Sequence, residues 1–426
     1  MEIEPLYSAF LRSSGVNTDT RSLLAGQMFW ALKGPNFNGN QYAKLALEKG
    51  AAFVVIHEET GLRDSRILKV KDGVKDLQKL AHHHRLNWGK EIIGVCGSNG
   101  KTTTKELITR ALATEMNVFS TPGNLNNHIG VPLSLLKLEP EHDIAVIEMG
   151  ANHAREIDDL CYIAEPNSGL ITNIGKDHLE GFGSIEKTAK ANGELFEFLH
   201  NHLGTAFINT GDEWNVKLQT KIEKKYTFPN IEDDVEVRLE SSEFYLKISY
   251  SGETVETLLT GKYNFDNIAT ALAVSSFYKI DPKKALLAVA SYEPENNRSQ
   301  VIKTERNTII SDAYNANPSS VMAALENLLA LKSDKKTAIL GDMLELGKES
   351  GKEHRALAHW AKTHREIRFL VTGKEMEEFS KSFPEAAYFA KKEDLNLFLE
   401  SEKLENELVL LKGSRSMKLE SLIPYL

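Results

Sequence analysis

The chain has 426 residues, 41% of them hydrophobic and 26% charged, which by length suits about two to four folded domains with sizeable cores. Its formal net charge of −9 excludes bulk attraction to nucleic acid or to an anionic membrane, so an anionic ligand must be met by local lysines, arginines and backbone amides. Two cysteines, Cys96 and Cys161, make neither a disulfide framework nor a zinc site. The start, Met1-Glu2-Ile3-Glu4-Pro5, lacks the pattern of a secretory leader, and no apolar run is long enough to cross a bilayer, so a cytoplasmic location is expected.

From the start to about Trp88 the pattern predicts a small α/β unit, with a helix over 40–49 stopped by Gly50 and a strand over Ala52–Ile56. Two loops stand out: Thr20-Arg21-Ser22, and Phe29-Trp30-Ala31-Leu32-Lys33-Gly34. A basic group, an aromatic pair and a turn glycine are suited to an anionic ligand that bears a ring, and equally to a plain strand and turn. The tract His82-His83-His84 does not suit one metal, because successive helical residues fan out by about 100°; a solvated helix face is expected.

The block from about 89 to 291 strings apolar strands at Ile92–Cys96, Ile144–Glu148, Leu170–Asn173 and Ala206–Asn209 between helical stretches, the rhythm of a parallel sheet with crossover helices. Its first strand runs into Gly97-Ser98-Asn99-Gly100-Lys101-Thr102-Thr103-Thr104 and then a helix. Glycines there let backbone N–H groups turn toward an anion, Lys101 adds a point charge, and Thr102 offers a hydroxyl to Mg²⁺, so the segment predicts a nucleoside triphosphate site. The spacing G-x-x-G-K-T-T-T is shorter than the general phosphate-loop pattern, whose first glycine position holds Val95.

Glu148 closes an apolar strand, where a carboxylate is costly without a cation or donors; Mg²⁺ shared with Thr102 is its natural partner. His178 follows the next strand end. Asn173, Glu148 and His178 are thus expected near the phosphate loop, since parallel sheets bind ligands at the carboxyl ends of their strands. The charged, alternating stretch Glu223–Leu259 predicts antiparallel edge strands.

The block from about 292 to 426 repeats strand and helix at Thr308–Asp312, a helix from Pro318, Thr337–Asp342, Phe369–Val371 and Val409–Lys412, the pattern of a doubly wound domain. Glu293–Asn297 is the expected hinge. Arg298, Asp312, Lys412 and Arg415 lie at the ends of these elements, where arginine clamps phosphate or carboxylate and a strand-end aspartate accepts from ribose hydroxyls.

With these segments laid out, the chain resembles the Mur ligases along its whole length. The likeness is carried by the Gly97–Thr104 loop, Asn124–Pro132, Glu148–Asn152, Thr172–Gly175 with Asp177–Glu180, Gly261–Asn267, Asp312–Pro318, Leu340–Gly347 and Lys412–Arg415. It implies three domains: 1–88 binding a UDP-linked substrate, 89–291 an ATPase with a phosphate loop and parallel sheet, and 292–426 a Rossmann-like, doubly wound domain binding ATP and an incoming dipeptide.

The implied reaction is ATP-dependent ligation of D-alanyl-D-alanine to UDP-N-acetylmuramoyl-tripeptide through an acyl phosphate, with Mg²⁺, in peptidoglycan synthesis, by a protein expected to be monomeric. By the same resemblance Lys101 stabilises the moving phosphoryl group, Thr102 and Glu148 hold one metal, and His178 approaches a second. Gly97, Ser98, Asn99, Gly100, Thr103, Asn267, Arg298, Asp312 and Tyr314 contact ATP. Thr20, Arg21, Lys33 and Gly34 meet the uridine diphosphate end, Asn126 and Asn127 the muramoyl peptide, and Asn315, Asn317 and Arg415 the dipeptide.

One departure stands out: the family's usual carbamylated lysine falls on Asn192, and Lys190 cannot replace it, because two helical residues turn a side chain by about 200°. The rival readings are another Mur-type or folate-extending ligase, or a nucleotide-binding switch without ligation. The tripeptide's third residue, lysine or a diamino acid, is not legible in the sequence.

Overall fold

The computed structural model describes residues 2–426 and divides into two compact units. One comprises the chain up to Val95 with Met116–Ala151 and Arg155–Gly169; the other comprises Cys96–Glu115, Asn152–Ala154 and Leu170–Leu426.

In the first unit, the strands Val16–Asn17, Met28–Trp30, Phe53–Ile56 and Ile67–Lys69 form a parallel sheet in that order. Phe29, Ala31, Val54 and Ile56 bury one face against Ala43 and Ala46. The expected helix over 40–49 arrives in two parts, a 3₁₀ turn Gly39–Tyr42 and an α-helix Ala43–Glu48, because the Asn38 side chain accepts from the Asn40 N–H and tightens the entry. The long helix Gly73–Trp88 starts on Asp72, whose carboxylate accepts from the Val74 and Lys75 N–H groups, and stops at Gly89 in the left-handed region.

The histidine tract on that helix is packed rather than solvated. His84 bonds the Leu138 carbonyl at 2.9 Å and the Tyr7 hydroxyl at 3.2 Å, and His82 lies 3.3 Å from the Ile163 carbonyl. Neighbouring elements cover a face that the sequence leaves polar. In the same unit Ile144–Glu148 pairs in parallel with Val118–Ser120 on one side and Glu91–Cys96 on the other.

In the second unit, Thr205–Asn209 pairs in parallel with Lys224–Phe228. Val237–Ser241, Lys247–Tyr250 and Glu253–Glu256 make the expected antiparallel sheet. A six-stranded sheet runs Gln300–Lys303, Thr308–Asp312, Leu408–Lys412, Lys336–Gly341, Ile367–Thr372, Ala387–Phe389, parallel except for its first pair. Successive residues alternate between two cores: Ile310, Leu340, Leu410 and Val371 meet the helices Pro318–Ala330 and Ser350–Lys362, while Ile309, Ile339, Val409 and Leu370 meet Leu395, Leu399 and Leu419. Both faces are buried, which explains why these strands read as continuous apolar runs.

Candidate active site

The strand Glu91–Cys96 ends where the glycine-rich loop begins, and the helix Lys101–Leu112 follows it. Gly97 has φ +128°, and a Cβ there would lie 2.2 Å from the Thr172 hydroxyl; Gly100 has φ +81°, and a Cβ there would lie 2.6 Å from the Asn267 side-chain oxygen. No side chain fits at either position.

Neighbours hold the rest of the loop. Thr172 Oγ1 and Asn173 Nδ2 donate to the Asn99 carbonyl at 2.7 and 2.9 Å. Ser98 Oγ donates to Asp177 at 2.8 Å and accepts from the Gly175 N–H at 2.9 Å. Asn267 is buried and accepts from Thr104 Oγ1 at 2.9 Å, bracing the helix start from beneath. Lys101 folds back, its Nζ 2.5 Å from the Gly97 carbonyl and 3.0 Å from that of Ser98. Burial pushes the neighbouring Cys96 thiol well above its ordinary range, which removes its nucleophilic form.

His178 sits at φ 42° just before a short helix, its Nδ1 2.8 Å from Glu345 Oε2. The Glu180 N–H also donates to the Glu345 carbonyl at 3.0 Å. The hydrogen bond from His178 holds the Glu345 carboxyl below its ordinary range, with the charge of Lys101 contributing. Asn192 lies buried on the helix Ile185–Asn201, its Nδ2 donating to the Thr188 carbonyl at 3.0 Å, while Lys190 is exposed, as the helical turn requires.

Farther along the second unit, Asn296 and Asn297 take positive φ in the expected hinge stretch. The Arg298 guanidinium lies 3.5 Å from the Tyr314 ring centroid and that of Arg415 lies 5.3 Å from it. Asp312 accepts from buried Lys412 at 2.6 Å, and Lys412 also donates to the Asn315 carbonyl at 2.9 Å. A cleft of about 400 Å³ is bordered by Asn315, Leu344, Glu345, Arg415, Lys418 and Glu420. Asn317 is placed elsewhere: its Oδ1 caps the helix Pro318–Ala330, and its Nδ2 donates to Asn99 Oδ1 at 2.8 Å.

The first unit holds the remaining expected residues. Glu148 is 1% exposed; its carboxylate accepts from Asn126 Nδ2 at 2.8 Å, and its N–H donates to Thr121 Oγ1 at 2.9 Å. Asn127 accepts from the Ile129 and Gly130 N–H groups at 3.1 and 2.9 Å. Thr20 is buried and its carbonyl accepts from Lys49 at 2.7 Å. Arg21 pairs with Asp19 at 2.6 Å and Lys33 with Glu58 at 2.8 Å. The aromatic pair is core: Phe29 and Trp30 are 1% and 0% exposed, and Trp30 Nε1 donates to the Gly73 carbonyl. Neither ring is open for stacking on a ligand.

Among the described residues no group of three or more His, Cys, Asp or Glu is placed to hold a metal ion. Mg²⁺ bound with a nucleotide needs fewer protein donors, since phosphates and waters fill its shell, and it prefers hard oxygens, the kind that a threonine hydroxyl such as that of Thr102 or a carboxylate such as that of Glu148 offers. The donor chemistry fits.

Residues 95–275 match the Mur ligase middle domain, and residues 297–415 match the Mur ligase, glutamate ligase domain. The chain is 34% identical to the UDP-N-acetylmuramoyl-tripeptide–D-alanyl-D-alanine ligase of Bacillus subtilis, over 96% of this chain and 92% of that one. It is likewise 34% identical to the Escherichia coli ligase of the same name, over 98% and 94%. The chain belongs to the Mur ligase family.

Among solved structures, MurF from Acinetobacter baumannii superposes on this Mur ligase with a TM-score of 0.88 at 26% identity, covering 99% of this chain and 97% of that one. The MurF ligase of Thermotoga maritima, in complex with ADP, superposes with 0.84 at 27% identity, covering 98% and 97%. Four residues that hold the loops of this Mur ligase carry no spacing signal of their own: Thr172, Asp177, Glu345 and Glu420. The first three lie inside segments that carry the family likeness, which is the one sign that pointed to them. Glu420, whose Oε2 is buried without a partner, lies outside every such segment.

Proposed function

We propose that this chain joins D-alanyl-D-alanine to UDP-N-acetylmuramoyl-tripeptide at the expense of ATP, in peptidoglycan precursor synthesis. The observation that carries this reading is the phosphate loop: two glycines that tolerate no Cβ, amides at a helix start, and Lys101 poised over them, in a chain whose full-length relatives bear this activity's name. The γ-phosphoryl group passes from ATP to a tripeptide carboxylate oxygen, releasing ADP. The dipeptide amine then attacks the carbonyl carbon, phosphate leaves, and an amide forms. Lys101 swings from the loop carbonyls to the phosphates and neutralises charge as it moves between oxygens.

The other assignments belong to the same proposal. Residues 1–88, 89–291 and 292–426 act as three domains, for the UDP substrate, ATP, and ATP with dipeptide. Thr20, Arg21, Lys33 and Gly34 take the uridine diphosphate end, and Asn126 and Asn127 the muramoyl peptide. Ser98, Asn99, Thr103, Asn267, Arg298, Asp312 and Tyr314 serve ATP, and Asn315, Asn317 and Arg415 serve the dipeptide. When bound, Mg²⁺ supplies a second positive charge at the phosphates, held through Thr102 and Glu148; His178 serves a further metal position.

At that further position Asn192 offers a neutral amide and no amine to carbamylate, so the enzyme works without bicarbonate. Supporting this, Lys190 points to solvent from the opposite side of its helix. Depleting CO₂ leaves turnover unchanged; a loss of turnover, or a carbamylated lysine found in this helix by mass spectrometry, overturns the idea. Among the described residues no helix is long and apolar enough to cross a membrane; that the enzyme works as a monomer in the cytoplasm is part of the same proposal.

Phosphate release tests the whole. It should require ATP and the UDP-linked tripeptide, rise with D-alanyl-D-alanine, and ignore D-glutamate, L-alanine and folate. Release indifferent to any acceptor favours a nucleotide switch instead.

A further inference from the structure

The backbone on either side of Arg298 is bent in a way that residues other than glycine seldom accept. Asn296, Asn297 and Ser299 have φ of 58°, 58° and 55°, in the left-handed region, and such a conformation persists only where neighbours hold it. Asn297 is held by the strand Thr308–Asp312 and the turn after it: its Oδ1 accepts from Ser311 Oγ at 2.9 Å, and its carbonyl from the Tyr314 N–H at 3.2 Å. Ser299 is held from elsewhere. It is 6% exposed, and its Oγ lies 2.8 Å from the hydroxyl of Tyr263, the residue just before the helix Asn264–Phe277. The Tyr263 ring is seated over Gly261, where a Cβ would come within 2.5 Å of the ring edge. Burial pushes the Tyr263 phenol well above its ordinary range, and the charge of Asp312 adds to the rise, so the hydroxyl keeps its proton.

We infer that Tyr263 is a positioning residue for the nucleotide: its hydroxyl fixes Ser299, and Ser299 in turn aims the Asp312 carboxylate at the ribose hydroxyls of ATP. The inference rests on the assignment of Asp312 to ATP in the reading above and adds the side chains that set its aim. The Ser299 N–H donates to Asp312 Oδ1 at 3.1 Å, while buried Lys412 donates to Oδ2 at 2.6 Å. Two donors at fixed places give the carboxylate one orientation. Each oxygen keeps a further lone pair, and the side chain is 17% exposed, so hydroxyls arriving from outside meet acceptors already in place. One turn along the helix from Tyr263, Asn267 accepts from Thr104 Oγ1. A single helix start thus braces the phosphate loop on one side and, through Ser299, the Asp312 carboxylate on the other. Without the Tyr263 hydroxyl, Ser299 is free to leave the left-handed region, its N–H turns away, and Asp312 swings on Lys412 alone. Phosphoryl transfer takes place at the other end of ATP, so the loss falls on nucleotide binding and not on the chemical step.

A ligand without ribose hydroxyls set against a protein without the Tyr263 hydroxyl tests this. With the UDP-linked tripeptide and D-alanyl-D-alanine saturating, the wild type should use ATP about thirtyfold better, in kcat/KM, than 2′,3′-dideoxy-ATP. Tyr263→Phe should raise the KM for ATP about tenfold, hold kcat within about twofold, and shrink that preference to about threefold. Ser299→Ala should do the same, and the double variant should lose little more than either alone, because both substitutions remove one hydrogen bond. Phenylalanine keeps the ring and alanine the backbone, so the variants should fold, which thermal unfolding verifies. A Tyr263→Phe enzyme with a lowered thermal midpoint but the wild-type KM and preference has lost packing alone, and overturns the inference. So does a wild type that makes amide equally well with the two nucleotides. A wild type that makes no amide with ATP overturns the ligase reading and the inference with it.

Discussion

The phosphate loop and the N-terminal loops are made of similar material, a cation beside a small residue, and the fold treats them in opposite ways. Around Gly97–Lys101, Thr172 and Asn173 hold the backbone at Asn99, Asp177 and Asn317 hold the side chains of Ser98 and Asn99, and Asn267 packs against Gly100. Arg21 and Lys33 instead stand in solvent, each tied to one neighbouring carboxylate. A loop braced on all sides keeps its donors aimed before a ligand arrives. An open one must spend binding energy on ordering itself.

Alanine in place of glycine separates the two most sharply. In Gly97→Ala the new Cβ meets Thr172 Oγ1 at 2.2 Å and the Thr172 backbone nitrogen at 2.9 Å, in a left-handed conformation, so Thr172 must move and Asn99 with it. Amides displaced by about 1 Å cost about a hundredfold in rate or more, which steady-state ATP turnover and calorimetric titration with ATP will read. In Gly34→Ala the Cβ meets Phe37 at 2.6 Å, but that ring is 58% exposed and swings aside, so unfolding should shift by less than about 1 kcal/mol. Equal losses at the two glycines would abolish the distinction.

What the sequence made legible follows the same division. The Gly97–Thr104 spacing is local, because one strand, one turn and one helix start suffice to specify it, and the structure has them at those residues. The doubly wound sheet was legible for a like reason: burial on both faces leaves unbroken apolar runs at Phe369–Val371 and Leu408–Leu411. The pairing of His178 with Glu345 joins residues 167 positions apart, and no local period encodes it. Phe29 and Trp30 left two readings open, because an aromatic pair in a strand reads alike whether it faces a core or a ligand, and their burial decides for the core. The His82–His84 tract misled because coverage by Tyr7, Leu138 and Ile163 is set by packing alone.

Ion pairs extend the contrast at a middle scale. Lys412 is 4% exposed at its side chain and holds Asp312 at 2.6 Å, whereas Lys33 is 55% exposed. Lys412→Met strands the Asp312 charge in a largely buried setting and should cost about 3–5 kcal/mol of stability. Lys33→Met should cost under about 1 kcal/mol. Urea unfolding of the two variants measures both, and similar midpoints would show that burial does not govern these pairs.

The smallest effect is expected at Arg21, and its value lies in its sign. The Arg21 side chain, and after it the Arg21 backbone N–H, hold the Asp19 carboxyl at about 2. Because this lies below the ordinary unfolded value near 3.9, the pair's contribution to stability is in place above about pH 4 and disappears as pH falls through about 2. Both partners are open to water, which screens them, so little stability is at stake at neutral pH. Arg21→Ala should therefore return the Asp19 titration, followed by NMR, most of the way to the ordinary carboxylate range, the backbone N–H retaining part of the shift. The thermal midpoint at pH 7 should move by no more than about 1 °C. A drop of many degrees would mean that this loop is locked as firmly as Gly97–Lys101. A rise in KM for the UDP-linked substrate with the midpoint unmoved would mean that Arg21 is held loosely so that it can leave Asp19 for a diphosphate.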